Sequence, residues 1–204
     1  MQAVRLGPQD YRVMPWKNGL GETREIAIFP AAASVTGGDF LWRVSMAEVT
    51  ADTAFSPFPG YDRSVVLAGG NGMELSFDAA PSLRLEKPGT IAEFSGDWQT
   101  HCRLLDGPVR DFNVMTARDR AQHVCEFVGR EAVEYNWAPR LETLLCYCLR
   151  GTVVLKMRGR GEFHLRPDHS LCLPAHAEAR ARGYMMLVSH APHTLSVMVR
   201  LRVL

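Results

Sequence analysis

No apolar run in this chain approaches the roughly 18 residues that would span a bilayer, because charged residues or glycine interrupt every hydrophobic stretch. Residues 1–10 contain Arg5, Pro8 and Asp10, so they lack the unbroken apolar segment of a secretory signal. A cytoplasmic protein without a membrane segment is expected. An excess of charge of either sign is also missing: Lys+Arg total 23 against Asp+Glu 22, a formal net charge of +1. No long-range positive field is available to hold nucleic acid or an anionic membrane, and neither is expected as a partner. Recognition of an anion must be local.

The signatures of metal and nucleophile chemistry are absent too. None of the seven histidines, at positions 101, 123, 164, 169, 176, 190 and 193, forms a His-x-His pair followed by an acid and a later histidine. The five cysteines are odd in number and scattered, and most sit in apolar, strand-like runs where a buried thiol is the simplest role. Cys146-Tyr147-Cys148 would put two sulfurs on one face of a strand, but no second pair completes a zinc site. There is no glycine-rich phosphate loop, nucleophile elbow or Cys-His-Asn arrangement. No metal, cofactor or catalytic residue is assigned.

Strand patterns fill what remains. The chain is 204 residues long and 47% hydrophobic, enough for a sizeable core. Strand signals run through segments such as 63–67, 73–77, 112–115, 144–149, 152–157 and 194–203, many of them alternating apolar and polar residues. Gly69-Gly70-Asn71-Gly72, Lys87-Pro88-Gly89, Gly107-Pro108 and Arg166-Pro167-Asp168 stand where hairpins or corners are needed. Short strands at regular spacing predict an all-β sandwich or barrel with few helices. A weak repeat suggests two of them. Gly72 before Met-Glu-Leu-Ser-Phe matches Gly151 before Thr-Val-Val-Leu-Lys-Met (151 − 72 = 79), and Pro88 matches Pro167 (167 − 88 = 79). The division expected is 1–117 and 118–204, with N-terminal strands free to cross between lobes and residues 118–136 as the crossing segment.

Three stretches are richer in polar and aromatic residues than a core requires. In residues 14–26, Trp16 offers a flat wall, Asn18 and Thr23 offer hydrogen bonds, and Gly19 and Gly21 permit close backbone approach. An irregular first strand with Trp16 plugging a barrel end fits equally well. In the strand at 40–49, Arg43, Ser45 and Ala47 share one face, and Trp42, Val44, Met46 and Glu48 the other. Arg63 follows a Pro-Gly turn flanked by aromatics, where a guanidinium can grip a carboxylate with two hydrogen bonds. An ion pair with Asp62 is the plainer alternative. The third stretch gathers His101, Asp111 and Asn113 around a Gly-Pro turn, and alternate strand residues can point into one barrel cavity.

In order and spacing, the segments MPWKNGLGETREIAIFP, FLWRVSMAEV, FSPFPGYDRSVVLAGG and HCRLLDGPVRDFNVMTAR resemble the HutD/Ves family of bacterial histidine utilization operons. The resemblance is densest from Tyr11 to Thr116. It implies a bicupin, two packed cupin-like jelly-roll barrels without the usual metal ligands. The protein would bind a small carboxylate without turning it over and so modulate histidine catabolism by sensing an intermediate such as urocanate or N-formylglutamate. Arg63 matches the family's proposed ligand-binding arginine. Trp16, Asn18 and Thr23 fall in its first motif, and Trp42, Arg43 and Ser45 in its second. One departure is Gly19-Leu20-Gly21, where the family often runs three glycines after the Asn. The alternatives are a metal-independent isomerase or hydrolase using His101 with Asp111, and a protein-interaction module. Exposed strand edges leave room for a homodimer.

Overall fold

Alternating β-branched, aromatic and sulfur-containing residues, cut by Gly and Pro turns, fold into strands throughout. The computed structural model describes residues 3–16, 19, 21–129, 132–159, 161–176, 183–189 and 193–204. Among these, one 3-10 turn (Pro8–Asp10) is the only helical element, so no helix is long and apolar enough to cross a membrane. The strands are β1 (Val4–Leu6), β2 (Arg12–Pro15), β3 (Gly21–Phe29), β4 (Trp42–Val49), β5 (Thr53–Phe55), β6 (Tyr61–Gly69) and β7 (Met73–Phe77). Next come β8 (Leu83–Leu85), β9 (Ile91–Ser95), β10 (Thr100–Leu104), β11 (Val109–Ala117), β12 (Ala121–Val128) and β13 (Val133–Trp137). The last are β14 (Glu142–Arg150), β15 (Val153–Met157), β16 (Gly161–Leu165), β17 (Ser170–Leu173), β18 (Gly183–Ser189) and β19 (Leu195–Val203).

The chain divides into two compact units, one formed by Tyr11–Gln122 with Leu204, the other by Met1–Asp10 with His123–Val203. The first unit has a six-stranded sheet in the order β2-β3-β4-β11-β6-β9 and a four-stranded sheet β5-β10-β7-β8. The second has a five-stranded sheet β1-β17-β14-β19-β12 and a four-stranded sheet β13-β18-β15-β16. The order β9-β6-β11-β4 thus recurs as β17-β14-β19-β12, and β5-β10-β7-β8 as β13-β18-β15-β16.

The repeated turns share backbone geometry as well as spacing. Gly72 and Gly151 precede β7 and β15 with φ of 111° and 77°. A Cβ on Gly72 would also lie 2.8 Å from Leu105 Cδ1, so the turn needs glycine on two counts. Each proline turn ends on a left-handed residue, Gly89 (φ 95°) in one copy and Asp168 (φ 62°) in the other. Asp tolerates that region because its short side chain hydrogen-bonds locally.

Residues 118–136, expected as the crossing segment, include the passage from one unit to the other between Gln122 and His123, and also contain β12 and most of β13. Val124 faces outward at 50% exposure while His123 is half-buried, which blurs the apolar alternation there. In the second unit the interior is apolar, with Leu144, Cys146, Cys148, Leu155, Leu171 and Met198 in one cluster. In the first unit one cluster includes Val65, Leu67, Leu75, Cys102 and Phe94, and another Phe40, Tyr61, Met115 and Ala117. The same unit carries a polar sheet face.

Candidate functional site

Strand alternation turns Arg43, Ser45 and Ala47 of β4 and Asp111, Asn113 and Met115 of β11 to one face of the six-stranded sheet. Register then builds rows across it. Ala47 stands opposite Thr23 and Asp111, Ser45 opposite Glu25 and Asn113, and Arg43 opposite Met115, which in turn faces Arg63. Two irregularities flank these rows, one between Glu25 and Ala27 on β3 and one where β11 passes from Arg110 to Asp111. Such bulges re-aim side chains beside functional sites. The rows floor a cavity of about 540 Å³ whose walls include Met14, Trp16, Val35, Phe55 and Phe58. That volume suits a small ligand.

The rim is held by a short hairpin. Trp16 Nε1 donates to Thr23 Oγ1 at 2.8 Å, and the Trp16 amide donates to the Gly21 carbonyl at 3.0 Å. A Cβ on Gly21 would run into the Glu48 carbonyl oxygen and stand 3.1 Å from the Trp16 ring, so this glycine lets the indole lie against the strand.

The two arginines of the cavity are held differently. Arg43 Nε donates to Glu25 Oε2 at 2.7 Å, with both side chains under a tenth exposed. Burial without water makes such a pair a neutral unit whose halves depend on each other. Arg63 is 5% exposed and has no carboxylate within ion-pair distance among the described residues. Its guanidinium carbon lies 5.0, 5.4 and 5.6 Å from the centroids of Phe94, Phe55 and Phe58, an aromatic cage of cation–π contacts. Phe94 is its partner across β9. One terminal nitrogen donates to the Ser56 carbonyl at 3.3 Å, while Nε has no partner. Burial pulls its pKa down to about 10, opposed by the nearby Asp111 and reinforced by Arg43, so it remains a cation at neutral pH.

Acceptors accompany it. Asp111 is 1% exposed and its Oδ1 is unpartnered, as is Oδ1 of Asn113, and both residues line the cavity. Burial pushes the Asp111 carboxyl up to about 7, with Arg63 offsetting part of the rise. Buried polar atoms are nearly always hydrogen-bonded. Three orphans in one cavity, a donor on Arg63 and acceptors on Asp111 and Asn113, therefore mark a place for a ligand with an anionic group and a hydrogen-bond donor.

Of the residues expected from sequence, Trp16, Thr23, Arg43, Ser45, Arg63, Asp111 and Asn113 line this cavity, and Asn18 lies outside the described residues. Trp42 does not: strand parity turns it to the opposite face, where it stacks on Phe29 with centroids 5.7 Å apart. His101 does not either. It is exposed on β10, while its neighbour Cys102 faces the interior, so His101 and Asp111 do not form the pair imagined for an enzyme. The alternative pairing of Arg63 with Asp62 is also absent, because Arg118 takes Asp62 at 2.9 Å together with Asp97 at 2.6 Å. Sequence reasoning assigned no specific role to Glu25, Ser56 or Phe94. Glu25 was legible by parity with Thr23, whereas Phe94 is brought to Arg63 only by pairing between β6 and β9. Among the described residues, no three His, Cys, Asp or Glu side chains gather where they could hold a metal ion.

Two units of jelly-roll topology, one with an apolar interior and the other with a cation-bearing cavity, define an all-β bicupin. The HutD family model matches residues 8–187, and the chain belongs to the HutD family. It is 38% identical over 160 residues to an uncharacterized 21.2 kDa protein in the hutC 3' region of Pseudomonas putida, covering 78% of this chain and 80% of that one. A conserved protein of unknown function from Pseudomonas aeruginosa PAO1 superposes with TM-score 0.87 at 32% identity, over 99% of this chain and 100% of that chain. HutD from Pseudomonas fluorescens SBW25, in a formate condition, gives TM-score 0.83 at 27% identity over 100% of both chains. A vicilin from Solanum melongena, 10% identical with TM-score 0.60 over 97% of this chain and 83% of its own, shares the fold alone.

Proposed function

We propose that this protein is a metal-independent receptor for a small carboxylate, which it binds without turning it over, and that binding tunes histidine catabolism. The observation that carries the reading is Arg63: a buried guanidinium caged by three aromatic rings, with no carboxylate partner among the described residues and with Nε unsatisfied, beside the unsatisfied oxygens of Asp111 and Asn113. A carboxylate on Arg63 would give that cation its counter-charge. A donor at the ligand's other end would satisfy the two oxygens. Urocanate and N-formylglutamate have both features, an imidazole or amide N–H with a carboxylate, and the Trp16 indole offers a flat face for the former. The relatives' own names, HutD and a protein beside hutC, support the metabolic setting.

Isothermal titration of EDTA-treated protein with urocanate, N-formylglutamate, histidine and glutamate tests the reading, repeated with Arg63→Ala. Saturable binding of a pathway intermediate is expected, weakened more than about tenfold (about 1.4 kcal/mol) in a variant that remains folded. Binding within twofold of wild type would remove Arg63 from the site. Turnover of the ligand during the titration would make the protein an enzyme instead, and a copurifying protein with no ligand binding would make it an interaction module.

A further inference from the structure

The cavity face of the six-stranded sheet buries four ionisable side chains, and with both carboxyls ionised their charges sum to zero. Arg43 and Glu25 cancel at 2.7 Å. Arg63 and Asp111 supply one charge of each sign without reaching ion-pair distance, each with an unpartnered atom. A ligand carboxylate placed on Arg63 would therefore add a net negative charge beside side chains that are themselves almost fully buried, which is disfavoured unless something compensates it. We propose that a small carboxylate binds at Arg63 together with a proton taken up by Asp111, which keeps the occupied cavity neutral and gives Asp111 an O–H donor beside its remaining acceptor oxygen. This inference rests on the carboxylate-receptor reading and says how that site is regulated.

The groups around Asp111 leave it as the one to titrate. From β6 it faces Arg63, whose pKa falls only to about 10, so the cation persists. On β4 and β3 the same sheet face carries Arg43 and Glu25, which are committed to each other. From β10 it faces Cys102, whose thiol is pushed up to about 12 by burial, with Asp111 and Asp52 adding to the rise. Strand β2 and the 54–58 segment present no ionisable side chain to the cavity. Burial already lifts Asp111 to about 7 in the empty site, and a second anion nearby lifts it further. The sign follows from linkage. Below the empty-site pKa, Asp111 is already protonated and affinity is flat; above it, each complex must collect a proton and affinity falls as pH rises.

Formate is a suitable probe, being a monoanion with no other group that titrates near neutrality. Carbon NMR of the Asp111 carboxyl, with and without saturating formate, reads its pKa directly, and the Asn113 side-chain amide reports occupancy. In the empty protein the carboxyl should titrate near neutrality, and formate should move the midpoint upward. Formate affinity should weaken at least about tenfold between about pH 6 and pH 8.5, and Asp111→Asn should remove that pH dependence. Formate binding that shifts Asn113 but leaves the Asp111 midpoint unmoved overturns this proposal alone. An Asp111 carboxyl that titrates in the ordinary carboxylate range also overturns it, with no ligand needed. If formate perturbs no cavity resonance, the carboxylate-receptor reading falls and this proposal with it.

Discussion

At the scale of single residues, the two cavity arginines are held by opposite means. Arg43 has a dedicated carboxylate in Glu25, and its charge is part of the scaffold. Arg63 has an aromatic cage and one carbonyl, and its charge is available. Removing one member of a buried pair strands the other, so Glu25→Ala should destabilise the protein by about 3–5 kcal/mol. The Glu25→Leu, Arg43→Met double variant should lose clearly less than the sum of the single changes. Urea unfolding of all variants checks this, and additive losses would mean the pair is not coupled. Glu25 could be placed inward from sequence by its two-residue spacing from Thr23. Its partner could not, because Glu25 lies directly opposite Ser45 and reaches Arg43 diagonally after the β3 irregularity.

Among the elements, the hairpin joining β2 to β3 has the narrowest tolerance. It must seat an indole against β3 while β3 pairs with β4, and Gly21 lies where Trp16 and the Glu48 carbonyl leave no room for a methyl group. Gly21→Ala should cost about 1–3 kcal/mol, measured by thermal unfolding. It should also blue-shift Trp16 fluorescence less on ligand addition than wild type does, because the ring no longer rests on Thr23. Unchanged stability would show that the hairpin has slack. Strand β4 was well read from sequence, since Arg43, Ser45 and Ala47 emerge together on the cavity side, with Val44 and Met46 buried on the other. Strand β12 was not, because an outward valine and a half-buried histidine disguise the period of two, and β13 was missed although Val133, Tyr135 and Trp137 alternate with Glu134 and Asn136.

For the molecule as a whole, the two units carry one topology with different interiors. Each has a register shift in the central strand pair, where Leu67 faces Asp111 in one unit and Cys148 faces Ser196 in the other. Aligned there, the offsets are 148 − 67 = 81 and 196 − 111 = 85. Leu144 then takes the place of Arg63 (144 − 63 = 81), and Met198 that of Asn113 (198 − 113 = 85). The cation and the acceptor of the cavity are thus replaced by an apolar core. Strand β1 pairs with β17, Val4 opposite Cys172, so residues from the start of the chain complete the sheet of the second unit. Deleting residues 1–7 should speed hydrogen exchange at the amides of 170–173 without abolishing carboxylate binding. Protection that persists at those amides would mean β1 adds little to that edge.

The strand alternation, the glycine and proline turns, the 79-residue repeat and the inward face bearing Arg43 and Ser45 all follow from the order of residues, because local backbone preferences and a period of two suffice to set them. Which inward charges meet was decided only by the tertiary structure. Pairing registers and two bulges bring Glu25 to Arg43, close three distant phenylalanines around Arg63, and leave Asp111 Oδ1 buried without a hydrogen bond among the described residues. Those relations join residues tens of positions apart, and electrostatic and packing energies at that range depend on distance in space rather than along the chain.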